Sequence, residues 1–131
     1  MRGLDTNVLL RPLTQDDPAQ AAVVEAFFRE VEARGERLFV SGIVLCEICW
    51  ALRGYEYSRR DIAATLEHLL DTALFEIQDR ELVRRALTQY RQGRADFADY
   101  LIGWQSRQAG CADTVTFDGK LEGTPGFALL S

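Results

Sequence analysis

Lysine is almost missing from this chain: Lys120 is the only one among fifteen basic residues, and the rest are arginine. Histidine is nearly as scarce. His68 stands alone, beside the apolar stripe of its helix, where a surface position is expected. Paired-histidine or Ser–His–Asp chemistry therefore cannot be assembled here. The cysteines number three, an odd count that argues against a disulfide framework. No apolar run approaches the ~18 residues of a membrane span. Met1 leads into a strand-like stretch without the basic and apolar regions of a secretory signal. A cytoplasmic protein is the expectation. With fifteen basic and twenty acidic residues the formal charge is −5, so the footprint that draws nucleic acid is weak. Two features soften that exclusion. Arginine's planar fork suits bidentate phosphate contact, and a carboxylate cage filled by a divalent cation presents positive charge that formal counting ignores.

What is present is an ordinary globular balance, 47% hydrophobic and 27% charged over 131 residues, enough for one domain with a real core. Three prolines and ten glycines leave little room for a disordered linker, and no internal repeat is visible. Short β-like runs alternate with helical ones, which predicts an α/β fold with a parallel sheet and helices on its faces. Arg2 to Asp5 reads as the first strand, with Thr6 and Asn7 capping a short helix to about Pro12. Asp16 or Asp17 before Pro18 reads as an N-cap and N1 proline. The helix they open runs to about Ala33, burying Ala22, Val23, Ala26, Phe27 and Val31, and Gly35 ends it.

Arg37 to Val40 is the second expected strand. Ser41 then caps a helix over Ile43–Arg53, closed by Gly54. Another helix starts at Ser58 or Arg59 and reaches Asp71, with Ile62, Leu66, Leu69 and Leu70 inward. Leu74–Ile77 is a third strand. Asp79 is read as the cap of a helix over Arg80–Gln92, and Asp96 as the start of one reaching Gln108, ended by Gly110. Thr114–Phe117 is a fourth strand stopping on Asp118, and Phe127–Leu130 a short edge strand.

Four acids stand out by position. Asp5 and Asp118 each follow a strand, and in a parallel α/β sheet the carboxyl ends of strands are where ligands bind. Glu47 lies in an apolar helix among Val44, Leu45, Ile48 and Trp50, whose wide apolar stripe leaves little exposed face. Asp99 lies in the first turn of its helix, with Asp96 three residues earlier on the same face. Taken singly, Asp96 and Asp99 are also what a helix N-terminus favours, and Asp118 before Gly119 is a common turn acid. Four carboxylates meeting in one place repel unless a counter-charge fills the pocket, and an all-oxygen cage suits Mg²⁺ or Mn²⁺ rather than zinc. Such a metal acidifies and orients a water and neutralises a phosphodiester.

The pieces L-D-T-N-V-L-L (Leu4–Leu10), S-G-I-V-L-C-E (Ser41–Glu47), A-D-F-A-D-Y-L-I (Ala95–Ile102) and T-F-D (Thr116–Asp118) occur in that order across almost the whole chain. In this the chain resembles PIN-domain ribonucleases of the VapC-like type, toxins of bacterial type II toxin–antitoxin pairs. The resemblance implies a three-layer α/β/α sandwich as a single domain over residues 1–131, with a mostly parallel sheet of four to five strands. It implies Asp5, Glu47, Asp99 and Asp118 as the catalytic quartet holding Mg²⁺ or Mn²⁺. Asp96, Thr6, Asn7 and Thr116 would support them. It also implies an RNA substrate, a homodimer, a small antitoxin that neutralises the enzyme, and DNA contact only through that antitoxin. One departure is Gly3, where the family usually carries a bulkier strand residue.

Other signals read more plainly. Cys46 and Cys49 flank Glu47 as C-E-I-C, but inside an apolar helix rather than at the strand-to-helix turn of a redox site; with Cys111 they are read as buried small hydrophobes. Arg53, Arg59 and Arg60 flank the loop at 54–58 and are candidate RNA phosphate contacts. Trp50 and Trp104 are expected in the core. Tyr55 and Tyr57 are open candidates for base stacking. Two rival functions remain. An aspartyl phosphatase of the haloacid-dehalogenase kind also starts with a strand ending in aspartate, but it wants a second aspartate two residues on, where this chain has Asn7. A catalytically silent PIN-like binding module is the other, and the intact acidic set speaks against it.

Overall fold

A computed structural model describes residues 1–131. The chain falls into two compact units, Met1–Arg80 and Glu81–Ser131. In the first, three parallel strands stand in the order β1 (Arg2–Gly3), β2 (Leu38–Val40), β3 (Phe75–Ile77). Arg2 is in register with Leu38, and Leu38 with Phe75. Alternation along β2 and β3 buries Leu38, Val40, Phe75 and Ile77. β1 is shorter than expected, but Leu4 N still donates to Phe39 O at 2.9 Å, so the chain stays at the sheet until Asp5.

Asp5 itself, not Thr6 or Asn7, is the N-cap of α1 (Thr6–Thr14): it is extended, and its side chain accepts from Thr6 N. Thr6 and Asn7 are already helical. The helix continues two residues past the Pro12 expected as its approximate end; proline removes one N–H from the ladder without stopping it here. α2 (Pro18–Ala33) opens as read, with Asp17 accepting from Gln20 N and Pro18 at N1. Its inward face is different. Ala21, Val24 and Val31 are buried, while Ala22 and Ala26 are exposed, Phe27 is half-buried and Val23 is 69% exposed. The helix is rotated by about one residue from the expected face. Phe28 fixes that setting, packing edge-on against Phe75 of β3 at 5.5 Å between ring centroids.

α3 (Gly42–Gly54) is capped by Ser41, whose side chain accepts from Val44 N. Gln78 adds a second cap, accepting from Gly42 N at 2.9 Å. α4 (Arg59–Asp71) is capped by Ser58 and buries Ile62, Leu66, Leu69 and Leu70 as read, with Ala63. His68 is exposed.

The second unit is a helical hairpin and a pair of strands. α5 (Arg80–Gln92) and α6 (Phe97–Gln108) are pinned by Tyr90 against Phe97, edge-on at 6.4 Å, and by Trp104 Nε1 donating to Gln89 Oε1 at 2.8 Å. The residue before α5, Asp79, has φ 50°, a left-handed turn and not the extended conformation of an N-cap. β4 (Thr114–Thr116) and β5 (Phe127–Leu129) pair in parallel, Thr114 in register with Phe127. All five strands and the parallel α/β class are as expected. They are hydrogen-bonded as a three-stranded and a two-stranded sheet, however, not as one sheet of four to five strands. No helix is long and apolar enough to cross a membrane.

Candidate active site

Each unit carries half of the acidic set. In the first, Asp5 sits where β1 hands over to α1, with Oδ1 accepting from Thr6 N at 2.8 Å. Thr6 is the one buried polar residue of the chain, and its hydroxyl donates to Glu47 Oε1 at 3.0 Å. One threonine therefore touches two acids far apart in sequence. Asn7 is exposed on the first turn of α1.

Glu47 is exposed, contrary to the expectation that its helix has little free face. α3 turns Val44, Leu45, Ile48, Cys49 and Leu52 inward and leaves Ile43, Glu47 and Trp50 outside. Trp50 is 51% exposed, so it is not core. Cys49 is buried as read, Cys46 is intermediate, and Cys111 is exposed, against the buried reading. Arg53 and Arg60 are exposed and Arg59 is half-buried. Arg53 lies six residues beyond Glu47 on one helix, a rise of about 9 Å. Tyr55 donates to Asp16 Oδ2 at 2.6 Å and Tyr57 to Leu13 O at 3.1 Å. The two phenols thus tie the segment that ends α3 to α1 and to the turn that follows it. The Asp16 carboxylate, as hydrogen-bond acceptor, raises the Tyr55 pKa.

In the second unit Asp96 and Asp99 form a capping box at the start of α6; Asp99 Oδ2 accepts from Asp96 N at 3.1 Å. Burial lifts the Asp99 carboxyl above its ordinary value. The Asp96 backbone hydrogen bond and Lys120 pull it down, and the charges of Asp96 and Asp118 push it further up. The last two carboxylates thus reach Asp99 electrostatically although their own first duties are caps. Asp118 follows β4 and opens a single 3₁₀ turn, Gly119–Leu121, accepting from Lys120 N at 2.9 Å. Thr116 Oγ1 in turn accepts from Asp118 N at 3.0 Å, which orients the acid at the strand end. Within neither unit does a group of three or more His, Cys, Asp or Glu stand close enough to hold a metal ion; Asp5, Asp99 and Asp118 each commit one oxygen to a backbone N–H.

Acids at strand ends and on the helices beside them, on a parallel α/β scaffold, define a class of carboxylate-based sites. The chain matches the PIN domain family over residues 4–126, and it belongs to that family. Among curated proteins it is similar to a VapC ribonuclease of Aquifex aeolicus (strain VF5), 32% identical over 123 residues that cover 93% of this chain and 90% of the relative.

Sequence reasoning missed the Thr6–Glu47 hydrogen bond, since nothing in the local pattern at either residue points to the other. It also missed the setting of Trp104, whose partners Arg85 and Gln89 lie on another helix.

Proposed function

We propose that this chain is a divalent-metal-dependent endoribonuclease and the toxin of a toxin–antitoxin pair, with residues 1–131 acting as one domain. The observation that carries the reading is the Thr6 hydroxyl on Glu47, which ties the exposed acid of α3 to the strand end bearing Asp5. The match to the PIN domain family and the likeness to a VapC ribonuclease support it.

The donors suit a hard cation. Asp5, Glu47, Asp99 and Asp118 offer oxygen only, the chemistry Mg²⁺ and Mn²⁺ take. Burial and two neighbouring acids make the ionised form of Asp99 costly, a strain that a cation relieves. These four residues would hold the metal, which when bound supplies charge neutralisation at the phosphodiester and acidifies water. Thr6 fixes the Glu47 carboxylate and Thr116 fixes Asp118, so neither acid has to be ordered when substrate arrives. Asp96 holds the first turn of α6, and with it Asp99. Asn7, beside Thr6, would orient water. Arg53, Arg59 and Arg60 bind phosphates of the RNA on either side of the cut.

The same reading makes the protein cytoplasmic and homodimeric, neutralised by a small antitoxin through which alone it meets DNA. The test is cleavage of a labelled RNA with magnesium by wild type, Asp5→Asn and Asp99→Asn, each shown folded by circular dichroism. Wild type cleaves and stops with EDTA, and both variants are inactive. Wild-type rates in either variant would refute the assignment.

A further inference from the structure

The second unit holds a cavity of about 330 Å³ that the catalytic reading does not use. Its walls include Tyr100, Gly103, Trp104 and Arg107 of α6, Asp113 before β4, and Phe127 of β5. The volume falls in the range of small-ligand pockets, roughly 300–1,000 Å³. The indole of Trp104 is held rather than loose. Its N–H is spent on Gln89, and the guanidinium groups of Arg85 and Arg107 lie 5.1 and 5.6 Å from the ring centroid, within cation–π range. The Phe127 side of the cavity is equally specific. A Cβ at Gly103 would stand 2.7 Å from the Phe127 ring, so only glycine lets that ring come so close to α6.

We infer that this cavity is a nucleotide subsite: it takes one unpaired base of the RNA among Trp104, Phe127 and Tyr100, with the adjoining phosphate on Arg107. The inference rests on the ribonuclease reading and extends it to substrate selection. Unpaired bases are bound by stacking on aromatic side chains and guanidinium planes, and arginine is the side chain whose fork fits phosphate. Asp113 sets the preference. A carboxylate accepts hydrogen bonds and donates none when ionised, and guanine alone among the four bases presents two adjacent N–H donors, N1 and N2, along one edge. Trp104 lies five residues beyond Asp99 on the same helix, a rise of about 8 Å and about 140° further round it, so the base read flanks the cut and is not the one beside it.

The test needs no catalysis. In Trp50→Phe protein Trp104 is the sole tryptophan, and its fluorescence is titrated with each of the four ribonucleoside 5′-monophosphates in EDTA. Saturable quenching is expected, with guanosine monophosphate binding at least about tenfold tighter than the others, the lower end of what a two-bond base contact discriminates. Asp113→Asn should erase that preference, and Arg107→Gln should weaken all four. In a second arm, Trp104→Leu cleaves a guanine-containing oligonucleotide set at altered positions. No quenching by any nucleotide, or quenching with no guanine preference, overturns the inference, as does an unchanged cleavage pattern in Trp104→Leu. If wild type cleaves RNA with magnesium while Trp104 stays silent, the subsite fails and the ribonuclease reading stands. If nucleotides bind but no RNA is cut, the reverse holds.

Discussion

Thr6 donates its hydroxyl to Glu47 Oε1 at 3.0 Å, bridging forty-one positions of sequence, and the same residue gives its backbone N–H to Asp5 Oδ1. Thr6 is buried while both acids are exposed. A buried threonine is thus the fixed point on which two solvent-facing carboxylates are set, Glu47 by its hydroxyl and Asp5 by its backbone N–H. Thr6→Val keeps the shape and removes the hydroxyl. RNA cleavage should fall about 10–100-fold, the usual loss when a partner orienting a metal ligand is removed, and Thr6→Ser should restore it. Rates of Thr6→Val equal to wild type would show the bond to be incidental.

Asp99 makes a prediction about pH. Burial raises its carboxyl above the ordinary carboxylate value, so the folded protein binds the proton more tightly than the unfolded chain. Stability then falls as pH rises from the unfolded value through the folded one, and the cost persists at neutral pH. Asp99→Asn removes the charge. In EDTA its Tm should exceed that of wild type at pH 7, and the gap should close as the pH drops to about the unfolded value. A variant less stable than wild type at pH 7 would contradict this origin of the shift.

The Thr114 hydroxyl is buried in β4 without a hydrogen-bond partner. An unsatisfied buried polar group costs about 1–3 kcal/mol, and an apolar group of the same shape avoids it. Thr114→Val should therefore stabilise the protein by about 1 kcal/mol in urea unfolding with an unchanged slope. Destabilisation would mean that the hydroxyl does have a partner.

Much of the fold could be read from local chemistry. The caps at Asp17 and Ser41 follow from side chains that satisfy nearby backbone N–H groups, and the turn at Gly35 from its left-handed backbone; each stands where sequence placed it. What escaped depends on distant partners. Val23 and Val24 are chemically interchangeable, and the packing of α2 on distant elements, Phe28 on Phe75 among it, decides which of them turns inward. Glu47 and Trp50 lie in a helix apolar on nearly every side, where periodicity cannot say which face meets solvent. The sheet was expected to be continuous because the strands alternate with helices; how many neighbours a two-residue strand such as β1 retains is a matter of geometry that no local pattern carries. Of the four acids, Asp5 and Asp118 follow strands and Asp99 lies in the first turn of its helix, the positions their local pattern gave them, and Thr116 accepts from Asp118 N.

The central claim is that Asp5, Glu47, Asp99 and Asp118 serve the same metal. Manganese binding, followed by the loss of the free-ion paramagnetic resonance signal, tests it without any RNA. Wild type should take up Mn²⁺ in competition with Mg²⁺, and Asp5→Asn and Asp99→Asn should each lose that binding while remaining folded. Wild-type Mn²⁺ affinity in both variants would contradict the account.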